Sequence, residues 1–317
     1  MTNALELENV TKRYVGHLAV DALSLQVPKG SIYGILGPNG AGKSTTLRMV
    51  MNIIARDSGT IALLGEDPAR TREVLRRIGY LPEERGLYKK MTALDAVVFF
   101  GALRGMTEPQ ARREGARWLE KMGLGQWQAS KIETLSKGMQ QKVQFVTTIV
   151  HNPELLILDE PASGLDPVNQ EVLRDTILGA KNEGRTVVFS THNMDQAEQL
   201  CDSVCIITRG RKVLDGPLGD IKRSHAGRRY RIEFDEITPS VAGLMRGGRF
   251  SRAERVGEGW TMELSEKSDV RQALAELGAA NVPLAKFEHV KPSLHEIFVQ
   301  QVGHAEIAER RPEVARA

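Results

Sequence analysis

The residue types best suited to chemistry are concentrated in a glycine-rich segment near the N-terminus. The segment fits the spacing G-x-x-x-x-G-K-[ST], and its members are Gly37, Pro38, Asn39, Gly40, Ala41, Gly42, Lys43 and Ser44, followed by Thr45. Glycines let successive backbone N–H groups point inward around a phosphate, at the start of a helix whose dipole favours negative charge. Lys43 can reach the β- and γ-phosphates of a nucleotide, and the Ser44 hydroxyl suits Mg²⁺. A strand before the segment and a helix after it predict a phosphate-binding loop; a chance glycine turn is the alternative.

A pair of carboxylates follows the apolar stretch 155–158, more than a hundred residues later. Four consecutive apolar residues predict a buried strand, and such strands present ligand-binding groups at their carboxyl ends. Asp159 is placed to hold Mg²⁺, and Glu160 is placed to polarise the water that attacks a γ-phosphoryl group. Together with the glycine-rich loop, the pair predicts a nucleotide-hydrolysing site.

A second phosphate-seeking helix start is predicted at Leu135-Ser136-Lys137-Gly138-Met139. Ser136 offers a small hydroxyl and Gly138 a backbone amide at the positive end of a helix. One γ-phosphate could use both helix starts only if two chains meet face to face and each supplies one of them. An ordinary helix cap is the alternative reading of this segment alone.

Alternating strands and helices must position these groups. Apolar patterns predict strands at 4–10, 19–27, 31–36, 155–158 and 186–190, and helices at 45–54, 94–103, 109–122, 138–150 and 168–182. Ser58-Gly59 is interpreted as a helix stop. Strands that alternate with helices predict a parallel sheet covered by helices.

A basic, glycine-containing stretch at 209–231 predicts a domain boundary and is interpreted as a solvated linker, with contact to anionic lipid as the alternative. We expect a first domain over 1–222, with a helical subdomain at about 84–151. A second domain over 223–302 has the alternating patterns of a small α+β unit. Residues 303–317 contain few large apolar groups and are predicted to form a flexible tail.

Composition excludes several classes of protein. The 317 residues carry 43 Lys and Arg against 40 Asp and Glu, so a net charge of +3 gives no reason to expect a nucleic acid as partner. The longest apolar run, 96–103, falls well short of the roughly 20 residues of a membrane-spanning helix. We expect no secretory leader, and the two cysteines cannot form a disulfide framework.

In their order along the chain, the motifs resemble the nucleotide-binding subunit of ABC transporters, over about residues 4–222. The resemblance implies that Tyr14 stacks on adenine, with a core tyrosine as the alternative, and that Glu83 lies in the Q-loop near Mg²⁺. It also implies that Ser136 and Gly138 form the signature motif, that residues 163–166 form the D-loop, and that His192 is the switch histidine that contacts the γ-phosphate.

Three positions depart from the family pattern. Glu83 stands where glutamine is usual, so a charged oxygen would face Mg²⁺, and Lys137 and Met139 replace a glycine and a glutamine of the signature. Ser136 and Gly138 are retained, and we therefore expect ATP to be sandwiched between two chains. These variants, with the ending of the second domain, resemble bacterial sodium- or drug-efflux ATPases that carry a C-terminal accessory domain.

The resemblance implies an α/β P-loop ATPase of the ABC type, with a mixed sheet core, a helical subdomain and a small α+β domain. Its expected cofactors are ATP and Mg²⁺, and its expected partners are a second ATPase chain and a separate transmembrane permease that exports a substrate. Leu87 and Tyr88 are the candidate permease contacts, and the expected location is the cytoplasmic face of the membrane. The alternatives are a regulatory or assembly module that binds ATP without turnover, and a soluble ABC-type factor.

Overall fold

The computed structural model describes residues 3–84, 86–235, 250–256, 259–264, 269–279 and 284–301. The described chain forms two compact units that divide between Leu218 and Gly219. The sequence-based boundary lies four residues later, inside the helix Leu218–Ser224. The predicted tail at 303–317 lies outside the described residues.

The first unit combines two sheets with helices. Its strands are β1 (Asn3–Tyr14), β2 (His17–Pro28), β3 (Ile32–Leu36), β4 (Ser58–Leu63), β5 (Ile78–Leu81), β6 (Leu155–Asp159), β7 (Thr186–Thr191), β8 (Ser203–Thr208) and β9 (Arg211–Pro217). Its helices are α1 (Lys43–Val50), α2 (Ala93–Leu103), α3 (Glu108–Lys121), α4 (Lys137–Ile149), α5 (Pro167–Asn182) and α6 (Met194–Leu200), and α7 (Leu218–Ser224) begins at its end. Short 3₁₀ turns occupy Arg72–Arg77, Gly125–Trp127 and Ile132–Thr134.

The central sheet has six strands in the order β5-β6-β7-β3-β8-β9, and β9 alone is antiparallel to its neighbour. The sheet is therefore mixed, as expected. Every residue of β3, β6 and β7 is buried. The interior of each strand is mainly apolar, as burial on both faces of a parallel sheet favours, while Asp159, Ser190 and Thr191 are buried polar residues at the carboxyl ends of β6 and β7. Because β6, β7 and β3 are neighbours, the segments after Leu36, Asp159 and Thr191 leave the sheet side by side at its carboxyl edge.

A second, antiparallel sheet has the order β2-β1-β4. The side chains of both sheets and of α1 pack into one apolar cluster, in which Leu5, Ile35, Leu47 and Ile157 are fully buried. The helix predicted at 45–54 begins earlier, at Lys43, and ends at Val50. Ser58 and Gly59 do not end that helix; they begin β4, where Gly59 lies against the backbone of β1.

Helices α2, α3 and α4 pack on one another between β5 and β6 in the chain. Each begins at a small hydroxyl residue, as helix capping favours. The hydroxyls of Thr92 and Ser136 accept hydrogen bonds from Asp95 N and Met139 N, while Gln110 Oε1 accepts from Thr107 N. Among the described residues, none of the helices combines the length and apolar character that a bilayer span requires.

The second unit contains a four-stranded antiparallel sheet in the order β11-β12-β10-β13. The strands are β10 (Arg229–Phe234), β11 (Phe250–Val256), β12 (Gly259–Leu264) and β13 (Leu284–His289), and the helices are α8 (Val270–Ala279) and α9 (294–301). Ile232, Met262 and Leu277 form its buried cluster, against which Trp260 and Phe287 pack.

Candidate functional site

The glycine-rich loop joins β3 to α1 and takes backbone angles that require glycine. Gly37, Gly40 and Gly42 all have positive φ, at 154°, 79° and 104°. A Cβ atom on Gly37 would lie 2.1 Å from Ile207 O, and one on Gly42 would lie 2.4 Å from Ala19 O. The loop therefore folds tightly against its neighbours, and α1 begins with its free N–H groups directed at the loop.

The buried ammonium group of Lys43 lies against the backbone of this loop. The residue is only 6% exposed, and its Nζ donates hydrogen bonds to Gly37 O at 2.8 Å and Pro38 O at 3.2 Å. The same Nζ lies 3.4 Å from Glu160 Oε1. A buried ammonium group held by carbonyls and a carboxylate fits the binding of a phosphate oxygen.

Ser44, Asp159 and Ser190 form a hydrogen-bonded group at the carboxyl edge of the sheet. Ser44 Oγ donates to Asp159 Oδ1 at 3.0 Å, and Ser190 Oγ donates to the same oxygen. Asp159 is fully buried, and its Oδ2 has no hydrogen-bond partner in the described part of the chain. A hydroxyl beside an unpartnered carboxylate oxygen is a donor set of the kind that Mg²⁺ takes, so these residues fit the expected ion.

Glu160 follows β6 with a left-handed backbone, at φ 47°, an angle that a non-glycine residue rarely adopts. Its N–H donates to Ser190 Oγ at 3.0 Å, which holds this conformation. Both carboxylate oxygens lie 3.0 Å from Nδ1 of His192, whose side chain is 57% exposed. The geometry thus directs the Glu160 carboxylate towards Lys43 and His192, where a general base for water could act.

A cleft of about 300 Å³ opens over these groups. Its walls are formed by Tyr14, His17, Ala19, Asn39, Gly40, Ala41, Gly42, Lys43, Ser44, Thr45, Glu83 and Glu160. Tyr14 lies at the end of β1 and is 45% exposed, so it is not a core tyrosine. Lys12 Nζ is 5.5 Å from the centre of its ring. An exposed ring on the wall of a cleft can stack on a base.

The structure places Ser136 and Gly138 elsewhere. Neither residue lines the cleft of its own chain. Ser136 is exposed at the start of α4, and a Cβ atom on the partly exposed Gly138 would meet nothing nearer than Asn169 Nδ2 at 3.7 Å. The packing within this chain therefore gives no reason for a glycine at position 138.

Ser190, His17 and Ala19 belong to the site but were not predicted from the sequence. The hydroxyl of Ser190 donates to the Asp159 carboxylate and accepts from the Glu160 amide. In the sequence, the one signal for Ser190 is its position near the end of β7, just before Thr191 and His192. His17 lines the cleft and pairs with Tyr14 across the turn between β1 and β2. Neither the Ser190 nor the His17 side chain belongs to a recognisable spacing pattern.

Comparison with known proteins identifies the family of this chain. A family model described as "ABC transporter" matches residues 20–163, and one described as "ATP-binding protein DrrA1-3-like, C-terminal domain" matches residues 216–302. The ABC transporter ATP-binding protein YhaQ of Bacillus subtilis is 38% identical over 302 residues, which cover 94% of this chain and 98% of YhaQ. The daunorubicin/doxorubicin resistance ATP-binding protein DrrA of Streptomyces peucetius is 33% identical over 308 residues, covering 96% and 93%.

Among solved structures, one titled "Structure of ATP binding subunit of ABC transporter" superposes with a TM-score of 0.65 at 32% identity. It covers 70% of this chain and 93% of its own chain. The fold and the expected family are confirmed. The chain belongs to the ATP-binding proteins of ABC transporters and is an ABC-type ATPase.

Proposed function

We propose that this ATPase uses ATP and Mg²⁺ to power a separate transmembrane permease that exports its substrate. The observation that carries the proposal is the meeting of Lys43, Ser44, Asp159 and Glu160 around one cleft. Relatives named for daunorubicin/doxorubicin resistance, linearmycin resistance and Nod factor export support the direction of transport. Hydrolysis of ATP by this chain would distinguish a transport ATPase from a regulatory module that only binds ATP.

Each residue of the cleft has a role that follows from its chemistry. Lys43 and the amides of residues 37–45 bind the phosphates, while Ser44 Oγ and Asp159 hold Mg²⁺, with Glu83 on the cleft wall as a further oxygen ligand. Tyr14 receives the adenine ring. The ion, when bound, neutralises charge that develops on the phosphate oxygens.

Glu160 accepts a proton from the attacking water, and His192 holds the Glu160 carboxylate in place and contacts the γ-phosphate. The 3.0 Å contact between the two side chains supports this pairing. Ser190 anchors Asp159 and the amide of Glu160 at the same time, so one hydroxyl sets the separation of the metal ligand and the base. Positioning and electrostatics supply most of the acceleration, since phosphoryl transfer needs little covalent chemistry from the protein.

A second ATPase chain completes the site. Ser136 and Gly138 lie outside the cleft of their own chain, at an accessible helix start that suits a phosphate. In a face-to-face pair, each chain would direct these two residues at the γ-phosphate held by the other. The partner is a second copy of this chain or a related ATPase.

The permease contact is proposed on the helical segment beside the Glu83 loop, at the cytoplasmic face of the membrane. Tyr88 is 55% exposed and packs edge-on against Phe99, with ring centres 5.5 Å apart. Phe100 stacks on the same ring, and Leu103 on the same helix is 60% exposed. Together with Leu87, these side chains form an apolar patch suited to a protein partner.

Glu160→Gln tests the proposed function. It keeps the shape of the side chain and removes the base, so we expect ATPase turnover to fall about a thousandfold while ATP binding persists. The control is Glu171→Gln, at an exposed carboxylate on α5. Equal turnover in Glu160→Gln and the parental chain would overturn the role of Glu160.

The permease is tested by purifying the full chain from detergent-solubilised membranes. We expect an integral membrane protein to accompany it and to raise its ATPase rate. Purification without such a protein, at an unchanged rate, would contradict the transport role while leaving the ATPase intact.

A further inference from the structure

Gln144 joins helix α4 to the loop that carries Glu83. Its side chain is only 4% exposed, and its Nε2 donates hydrogen bonds to Glu84 O at 3.2 Å and Pro82 O at 3.4 Å. These two carbonyls flank Glu83 on either side. A single buried amide therefore holds the backbone of the proposed Mg²⁺ ligand from both directions.

The same face of α4 also contacts the strand that leads into this loop. Thr148 lies one turn after Gln144, and its hydroxyl is 3.4 Å from Tyr80 O at the end of β5 while also bonding Gln144 O. The carbonyls of residues 80, 82 and 84 therefore all face α4. Their spacing of two residues is that of an extended chain, in which every second group points to the same side. The loop is aligned along α4 rather than free of it.

The start of the same helix is Ser136, the proposed contact to the partner's nucleotide. Gln144 lies eight residues further along α4, which is about 12 Å of continuous helix. Continuous backbone hydrogen bonds stiffen such a helix, so it can carry a displacement from Ser136 to the carbonyls that Gln144 holds. Both proposed ligand contacts are therefore carried by one rigid element.

We propose that Gln144 is a positioning residue that sets the place of Glu83 and couples it to the signature end of α4. This inference rests on the proposed function of Glu83 and Ser136. Without the two hydrogen bonds, the exposed loop can pair its carbonyls with water and shift, and a displacement of about 1 Å can cost about a hundredfold in rate. Stability changes little, because Gln144 Oε1 is buried without a partner in the described part of the chain and its loss offsets the lost bonds.

Gln144→Met in the full chain tests the proposal, since methionine has nearly the same length and cannot donate. We expect kcat to fall about tenfold and the Mg²⁺ concentration for half-maximal turnover to rise, with ATP binding and the unfolding temperature nearly unchanged. Gln144→Leu is measured in parallel as a second apolar variant. The matched control is Thr147→Val, a buried position on the same helix whose hydroxyl donates to Gln144 O.

A double-mutant cycle with Glu83→Ala separates positioning from general structural damage. If Gln144 acts through Glu83, Gln144→Met has little further effect on kcat once Glu83 is alanine. Additive losses of kcat in the double variant would overturn the role of Gln144, as would a kcat for Gln144→Met equal to that of Thr147→Val. Neither outcome would affect the proposed ATPase function. A parental chain that does not hydrolyse ATP would instead overturn the proposed function on which it rests.

Discussion

The two compact units of this chain use charged groups differently. In the first unit, Lys43, Asp159 and Glu160 are each at most 8% exposed and contact one another or a shared serine. In the described part of the second unit, the buried side chains are apolar, Ile232 and Met262 among them. Among the described residues, burial of charge thus distinguishes the first unit, which carries the candidate site, from the second.

The difference has an energetic meaning. Ion pairs of the second unit, such as Lys286–Glu288 and Arg229–Glu296, join side chains that are about half exposed. Water and salt screen pairs of this kind, so they contribute little to the free energy of unfolding. Buried charges are costly to desolvate and persist only where partners or a ligand compensate them. A cluster of buried Lys, Asp and Glu side chains is therefore worth testing as a binding site.

Of the effects expected from this comparison of the two units, the largest concerns Lys43. Lys43→Ala removes the buried ammonium group, and we expect ATP affinity to fall about a hundredfold, roughly 3 kcal/mol. Calorimetric titration with ATP measures the change, and Lys29→Ala, at an exposed lysine, is the control. Equal affinities for the two variants would break the link between charge burial and ligand binding.

An intermediate effect concerns the pH dependence of the first unit. Burial, and then the charge of Arg104, lowers the pKa of His151 to about 4, while its Nε2 lies 3.2 Å from Ile78 O. Between pH about 4 and 6.5 the unfolded chain binds more protons at this residue, so stability is lost as pH falls through that window. The expected loss is about 2 kcal/mol between pH 8 and pH 5.

Urea unfolding of the parental chain and of His151→Gln at both pH values isolates this contribution. The variant retains a donor for Ile78 O but does not titrate. The control is His289→Gln in the second unit, where the exposed imidazole also contacts a carbonyl, Gly227 O, at 2.8 Å. Identical pH dependence in His151→Gln and the parental chain would contradict the prediction.

The smallest expected effect compares the two apolar cores directly. Ile232→Val and Ile157→Val remove the same methyl group from fully buried positions, one in each unit. Each substitution should destabilise its own unit by about 1 kcal/mol. Hydrogen exchange at the amides of β10 and β6 reports the two units separately. Ile232→Val should leave ATPase turnover unchanged, and loss of protection in β6 in that variant would show that the units are energetically coupled.

Short-range patterns made much of the fold predictable. The glycine loop, the buried strand that ends at Asp159 and the hydroxyl that begins α4 all depend on residues adjacent in sequence. The predicted helix stop at Ser58 and Gly59 was wrong, because tertiary packing there overrides the local sequence signal. There the close approach of β1 places Gly59 in a strand, although the residue pair is typical of a helix end.

The sequence by itself determined the glycine-rich loop, the two carboxylates after β6 and the absence of long apolar segments, because each is a property of consecutive residues. The tertiary structure decided which distant groups meet. Ser190 reaches Asp159 because β6 and β7 pair in a register that sets the two residues opposite each other. Gln144 reaches the Glu83 loop because α4 packs against β5. Strand order and helix packing arise from burial of the whole apolar surface, which no short stretch of sequence encodes.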